Sequence, residues 1–297
     1  MAPIGEIAHR LEGELGALEG DPTPLEGGIT NRNFRAVFGG RSYVIRLAGR
    51  ETELLGIDRR AEAAAAGVAA ELGIAPRVAA AGSGYLVTEY IESSPIEEGG
   101  LDAALEQLAR ALRLFHDSGL ELPVRFHVGA LLEDYGRLTS ARGGMLPEEW
   151  TRARALVERI YGALAPAGEQ PCHNDLLPGN IIRADGGRVM IVDWEYAAMG
   201  DPRFDLGNLA VNNALDERAQ DRLLGAYLGR PARDAERAGL QLARVLSDAR
   251  EAAWGVLQGV ISELDFDFGR YAREHFERML GAVEDPDFES WLAAAGG

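Results

Sequence analysis

Cys172-His173-Asn174-Asp175-Leu176-Leu177-Pro178-Gly179-Asn180, followed by Ile191-Val192-Asp193-Trp194-Glu195-Tyr196, is the stretch on which the reading of this chain turns. It carries a carboxylate, an amide five residues further on, and then a second carboxylate. Between the amide and the second carboxylate, Arg188-Val189-Met190-Ile191-Val192 reads as a short buried strand. Asp193 would then sit at a strand end, aimed into the same cleft as Asp175 and Asn180.

Those residue types suit phosphoryl transfer. The reaction passes through a loose transition state, so positioning and charge neutralisation matter more than covalent chemistry. A base must accept the hydroxyl proton, and Asp175 is the candidate. Magnesium takes hard oxygen ligands, usually one or two carboxylates beside phosphates and water; Asn180 and Asp193 are candidates for that role. The Asp-to-Asn spacing is that of the protein-kinase catalytic loop H-R-D-x-x-x-x-N. A kinase of small molecules is the leading reading.

The bulk properties agree with an enzyme of this sort. At 297 residues the chain can form two lobes, each with its own core, and 46% of it is hydrophobic. Its apolar runs break well before the roughly eighteen residues of a membrane span. The start, Met1-Ala2-Pro3-Ile4-Gly5-Glu6, lacks the basic and apolar blocks of a signal peptide. Cys172 stands alone, so no internal disulfide forms, and a cytoplasmic location is expected. A formal charge of −17 argues against nucleic acid as a partner. The same charge could steer a cationic substrate or simply aid solubility. Oligomeric state stays open.

Working outward, Ile4, Ile7, Leu11, Leu15 and Leu18 recur at helical spacing. Phe34–Phe38 and Ser42–Leu47 read as a hairpin around Gly39-Gly40. The Ala-rich segment Arg59–Leu72 is a helix stopped by Gly73. Pro76–Ala81 and Tyr85–Tyr90 are further strands, and Ile91–Pro95 is a break suited to a hinge. Beyond it the helices Leu101–Ser118 and Glu148–Leu164 are expected, with two or three more after Asp205. The fold class is therefore α+β and bilobal, protein-kinase-like. A small β-rich nucleotide-binding lobe (1–91) precedes a larger, mainly helical catalytic and substrate-binding lobe (92–297).

The nucleotide would meet several residues of the first lobe. Gly27, Gly28, Thr30 and Asn31 lie in a turn between helix and strand, where backbone could approach phosphates closely. Arg46 occupies the strand position at which a protein kinase has the lysine of V-A-I-K, and a guanidinium can grip phosphate with two donors. Glu62 on the Ala-rich helix could pair with it. Backbone groups around Glu89 and Ile91 could hydrogen-bond adenine. His173 is assigned to orienting the loop and Cys172 to the core. His9, His116, His127 and His275 are scattered and read as surface or packing residues.

Together Cys172–Asn180, Ile191–Tyr196 and Arg203-Phe204-Asp205-Leu206-Gly207-Asn208 resemble the choline/ethanolamine kinases, within the wider aminoglycoside-phosphotransferase-like superfamily. The resemblance extends through Gly27–Asn31 and Arg46 to Trp254–Ser262 and Asp267–Tyr271, nearly the whole chain. It implies ATP- and magnesium-dependent phosphorylation of an amino alcohol, with Asp175 as base and Asn180 and Asp193 on the metal. It also implies an aromatic cage for a quaternary ammonium, at Tyr196, Trp254 and Tyr271.

Two positions depart from the eukaryotic members. Asn212 stands where an acidic residue is expected, and Glu251 where a second tryptophan is expected. The expectation is that the carboxylate has moved to Glu251, on the other side of the cage, where it keeps an anionic partner for the ammonium. Asp205 is assigned to bracing the loop, with a substrate contact as the alternative. Choline is the leading acceptor. Ethanolamine, thiamine and an aminoglycoside are the other cationic alcohols, and a catalytically silent, ligand-binding pseudokinase is the reading from a different class.

Overall fold

The computed structural model describes residues 4–25, 31–49, 51–95 and 101–296. In chain order these form α1 (Ile4–Leu15), β1 (Thr23–Leu25), β2 (Arg32–Phe38), β3 (Arg41–Leu47), α2 (Arg59–Glu71), β4 (Val78–Gly82), β5 (Tyr85–Glu89) and β6 (Ser93–Pro95). There follow α3 (Leu105–His116), α4 (Val128–Ala141), α5 (Glu149–Ala163), β7 (Gln170–Cys172), β8 (Ile181–Ala184), β9 (Val189–Ile191) and β10 (Ala198–Gly200). The remainder is helical: α6 (Pro202–Asn212), α7 (Glu217–Leu228), α8 (Asp234–Ile261), α9 (Phe268–Val283) and α10 (Phe288–Ala294). The expected α+β class holds, with a small antiparallel sheet followed by a mostly helical remainder. Two compact units result, one of 1–97 with 179–196, the other of 98–178 with 197–297.

In the first unit the strands make an antiparallel sheet in the order β1-β2-β3-β5-β4. The Gly39-Gly40 turn has positive φ at both residues, which glycine tolerates and which matches the twist of a tight hairpin. Alternation then sorts the faces. Phe34, Ala36 and Phe38 on β2 and Tyr43, Ile45 and Leu47 on β3 join Ile7, Ala8 and Leu11 of α1 in one core. Arg46, between Ile45 and Leu47, must therefore point to the opposite face.

The helix α2 is nearly an alanine rod, and its buried stripe is Ala61, Glu62, Ala65, Ala66 and Ala69. Asp58 caps its start by accepting from the amides of Arg60 and Ala61 at 2.8 and 3.1 Å. Its end is a Schellman turn through Gly73, with the amides of Gly73 and Ile74 bonded to the carbonyls of Ala70 and Ala69. Ser93–Pro95, expected as a break, instead forms a short strand on β8, in the sheet β6-β8-β9. Its place at the sheet edge is where a proline is tolerated.

The second unit is organised by α8, whose buried positions run almost without interruption from Ala238 to Gln258. A helix buried on every side needs partners all round, and α4, α6, α9 and α10 supply them. Gly207 explains one of these packings. A Cβ there would lie 2.5 Å from the backbone carbon of Ala243, so α6 and α8 approach as closely as they do only with glycine. Two expectations need correcting. The helix α4 is not among the expected elements, and among the described residues four helices follow α6 rather than two or three. Among the described residues no helix is long and apolar enough to cross a membrane.

Candidate active site

In the first unit the period-two turn of β3 and the buried stripe of α2 bring opposite charges together. Arg46 forms close ion pairs with Glu62 and with Asp193. Arg59, which sequence reasoning passed over, donates to Glu62 at 2.7 Å, Glu195 at 3.2 Å, Asn31 at 3.2 Å and Thr52 at 3.0 Å. Asn31 in turn donates to Glu195 at 2.8 Å. Arg46 and Arg59 thus stand among three carboxylates, and both line a pocket with Glu62, Gly82, Tyr85 and Leu86. Burial, then the neighbouring charge of Asp193, holds the Glu195 carboxyl above its ordinary range. Burial also pulls Arg59 below its usual value, against the pull of Glu195.

Asp193 follows β9, whose residues are all buried, and its backbone lies in the left-handed region at φ 62°. Asp tolerates that conformation better than most residues but still at a cost. The amide of Val192 donates to the carbonyl of Asn180 at 2.9 Å, extending the β8–β9 pairing and drawing the chain at the two metal candidates together. A carboxylate and an amide oxygen are a donor set that suits magnesium. The Asp193 side chain keeps a quarter of its surface exposed while it pairs with Arg46, whereas Glu62 is almost wholly enclosed.

Other nucleotide candidates are placed less tellingly. Glu89 ends β5, its amide on the Arg77 carbonyl at 2.8 Å and its carboxylate on the Arg77 guanidinium at 3.2 Å. Ile91 is half-buried just beyond it. Gly27, Gly28 and Thr30 lie outside the described residues.

In the second unit the loop after β7 is fixed from below. Asp205, on the first turns of α6, accepts from the amides of His173 at 2.8 Å and Asn174 at 2.7 Å, and from His116 Nε2 at 2.9 Å. Asn208, three residues further along the same helix face, accepts from the Leu176 amide at 2.5 Å and donates to Ser247 at 2.9 Å. Asp175 rides between these two anchors, largely buried, with its own amide on His173 Nδ1 at 3.2 Å. Asn174 takes the left-handed φ of 65° that the sharp loop demands. Burial opposes ionisation of Asp205, but the His116 bond and the loop amides outweigh it and hold its carboxyl below the ordinary value.

His116 is thus no surface residue; it is enclosed between Asp205 and the Tyr227 hydroxyl, 2.7 Å away. His275 is likewise buried, on Asp248 at 2.9 Å, and His127 caps α4. Cys172 is a core thiol, which burial pushes far up in pKa. His116, Cys172 and Asp205 come close enough to share a metal. Both His116 nitrogens are nevertheless committed to protein partners, so the trio reads as packing.

The substrate candidates of this unit divide. Trp254 meets Tyr271 edge-on at 5.6 Å and Phe268 at 5.7 Å, and Phe266 lies 6.0 Å from Tyr271. The Tyr271 hydroxyl donates to Glu251 at 2.8 Å; burial and that carboxylate drive its pKa up. Glu251 is enclosed, its other oxygen on Arg250 at 2.7 Å, so it faces protein on both sides. Asp205, fully enclosed, is similarly occupied. Asn212 accepts from Arg278 at 3.4 Å, a cationic neighbour. Tyr196 is buried in the first unit. Arg250, absent from the sequence reading, reaches Asp175 Oδ1 at 3.1 Å.

Comparison with known proteins gives this arrangement its class. The phosphotransferase enzyme family is matched over residues 21–242. A choline/ethanolamine kinase family protein from Mesorhizobium loti is 32% identical, covers 98% of each chain and superposes with a TM-score of 0.80. The choline kinase LicA of Streptococcus pneumoniae shares the fold at a TM-score of 0.81, with 24% identity over 94% of this chain and 98% of its own. Protein LicA of Haemophilus influenzae is 26% identical over 275 residues, 87% of this chain and 79% of that protein. The chain belongs to the phosphotransferase enzyme family and, within it, to the choline/ethanolamine kinases. It is a phosphotransferase with an alcohol acceptor.

Proposed function

We propose that the protein transfers the γ-phosphoryl group of ATP to the hydroxyl of a small cationic amino alcohol, choline before others. The observation that carries this is the loop held by Asp205 and Asn208, which presents a buried carboxylate, Asp175, on an otherwise neutral turn. Asp175 takes the hydroxyl proton as the substrate oxygen bonds to phosphorus and the bond to the bridging oxygen of ADP breaks. Asp205 acts on the loop rather than on substrate. Asn180 and Asp193 hold magnesium, which when bound neutralises phosphate charge. Arg46, oriented by Glu62, grips a phosphate from the pocket it lines with Arg59. Glu89 and Ile91 offer backbone to adenine, and Gly27, Gly28, Thr30 and Asn31 are assigned to the phosphates.

For the acceptor, the edge-on pair of Trp254 and Tyr271 supplies ring faces that attract a quaternary ammonium, and Tyr196 is a further aromatic candidate. The guanidinium of Arg278 beside Asn212 makes that position a poor ammonium partner. The relatives named choline kinase favour the same acceptor. The cytoplasm, where ATP is supplied, is the assigned location.

The test is an ADP-release assay with magnesium across choline, ethanolamine, thiamine and kanamycin. Choline should give the highest kcat/KM. A higher value with any other would replace choline, and turnover on none despite nucleotide binding would point to a silent binding protein. Asp175→Asn should lower kcat by about a hundredfold to ten-thousandfold without unfolding the chain. Full activity in that variant would remove Asp175 from the mechanism.

A further inference from the structure

Arg250 is a charge in a place where charges are expensive. It lies at 2% exposure within α8, among the largest enclosed side chains of the molecule. A guanidinium persists in such surroundings only when it is paired and hydrogen-bonded. The pairing here is specific: Nη1 donates to Asp175 Oδ1 at 3.1 Å and to Glu251 Oε1 at 2.7 Å. Glu251 Oε2 then accepts from the Tyr271 hydroxyl at 2.8 Å. A continuous chain therefore links the loop carboxylate to one ring of the aromatic pair.

We propose that Arg250 is a positioning residue for phosphoryl transfer, holding the Asp175 carboxylate in one orientation, with Glu251 as its counter-charge. The inference rests on Asp175 being the base. Asp205 and Asn208 fix the backbone on either side of Asp175, but neither touches its side chain in the bonds described above. Arg250 restrains the side chain itself, at Oδ1, from a helix whose buried positions run along most of its length. Glu251 has a matching purpose. One guanidinium between two carboxylates leaves the trio with a net negative charge, so Asp175 is held without making the surroundings hostile to a cationic alcohol. Glu251 thereby fixes Tyr271 and balances Arg250 instead of meeting the ammonium.

A double-mutant cycle tests this, using the fastest of the four acceptors in the ADP-release assay. The variants are Arg250→Met, Arg250→Lys, Asp175→Asn and each Arg250 change combined with Asp175→Asn, all checked for folding by thermal unfolding. Arg250→Met should lower kcat about tenfold to a hundredfold, within the range of a base contribution, and leave the KM for ATP in place. Arg250→Lys should recover part of that loss. Added to Asp175→Asn, either change should cost nothing further, because its effect passes through the carboxylate already removed. The same fractional loss in both backgrounds, or a folded Arg250→Met with unchanged kcat, overturns the proposal while the base assignment stands. Should Arg250→Met fail to fold, Arg250→Lys alone carries the cycle with the same two outcomes. An active Asp175→Asn would instead overturn the base assignment, and this inference with it.

Discussion

Asp193 in the first unit and Asp175 in the second are both loop carboxylates just beyond a short strand, yet their surroundings differ in kind. Asp193 meets Arg46, which also meets Glu62, while Arg59 joins Glu62 to Glu195. That cluster is made of side-chain charges, which a phosphate or a metal can re-partner. Around Asp175 the restraints are mostly backbone amides held by Asp205 and Asn208, with Arg250 added from α8. The amide bonds have no exchangeable ionic partner and define a fixed geometry. One unit is thus arranged to accept charge and the other to hold a position.

The sharpest way to break this contrast is Asp205→Ala. It would strip the partner from two buried amides and from His116, so a loss of about 3–5 kcal/mol in urea unfolding is expected, with kcat falling in the folded fraction. A small stability loss with normal turnover would mean that the loop holds itself. In the first unit, Arg46→Met should raise the KM for ATP by about tenfold or more and destabilise by about 3 kcal/mol, since it abandons Glu62 and Asp193 together. Arg46→Lys should restore stability better than nucleotide affinity, a point charge being unable to copy the two-donor grip.

Acidity separates the units by sign. Glu195 has a folded value raised above 4.5, so its contribution to stability is full below that pH and is lost as pH rises through the raised value. Glu195→Gln should therefore gain stability relative to the parent as pH climbs from 4.5 toward neutrality. Asp205 has a folded value lowered below 3.8, so its contribution is present above 3.8 and is lost as pH falls through the lowered value. The penalty of Asp205→Asn should shrink only in that acid range. Urea midpoints across pH would show both slopes, and slopes of the same sign would refute the distinction. The smallest effect belongs to an exposed pair such as Arg270–Glu274, at 70% and 56% side-chain exposure. Replacing either by Ala should leave the urea midpoint essentially unmoved, because water and salt screen an exposed pair.

Much of the fold was legible because its signals are local. The Gly39-Gly40 hairpin, the alanine helix ending at Gly73 and the strand before Asp193 each follow from residues that touch one another along the chain. The helix α4 escaped because its buried positions, Val128, Leu132, Tyr135, Gly136 and Thr139, include only a narrow apolar stripe. Its burial depends on α8, far along the sequence. The short strand at Ser93–Pro95 escaped because its partner is β8, and nothing in a break-like segment announces a distant edge.

The candidate site divides in the same way. The residue types and spacing of Asp175, Asn180 and Asp193 specify phosphoryl-transfer chemistry, since metal and proton impose their demands on short stretches of chain. The sequence could not show that Glu251 faces protein on both sides, that His116 supports Asp205, or that Arg59 joins the first unit's charge cluster. Arg250-Glu251 looks in sequence like a solvated pair on a helix. Only the packing of α8 buries it, and desolvation then makes its partners decisive. The sequence by itself determined the reaction class. Tertiary structure decided which charges are enclosed and whom they meet, because the energy of a charge depends on surroundings contributed by residues far away in the chain.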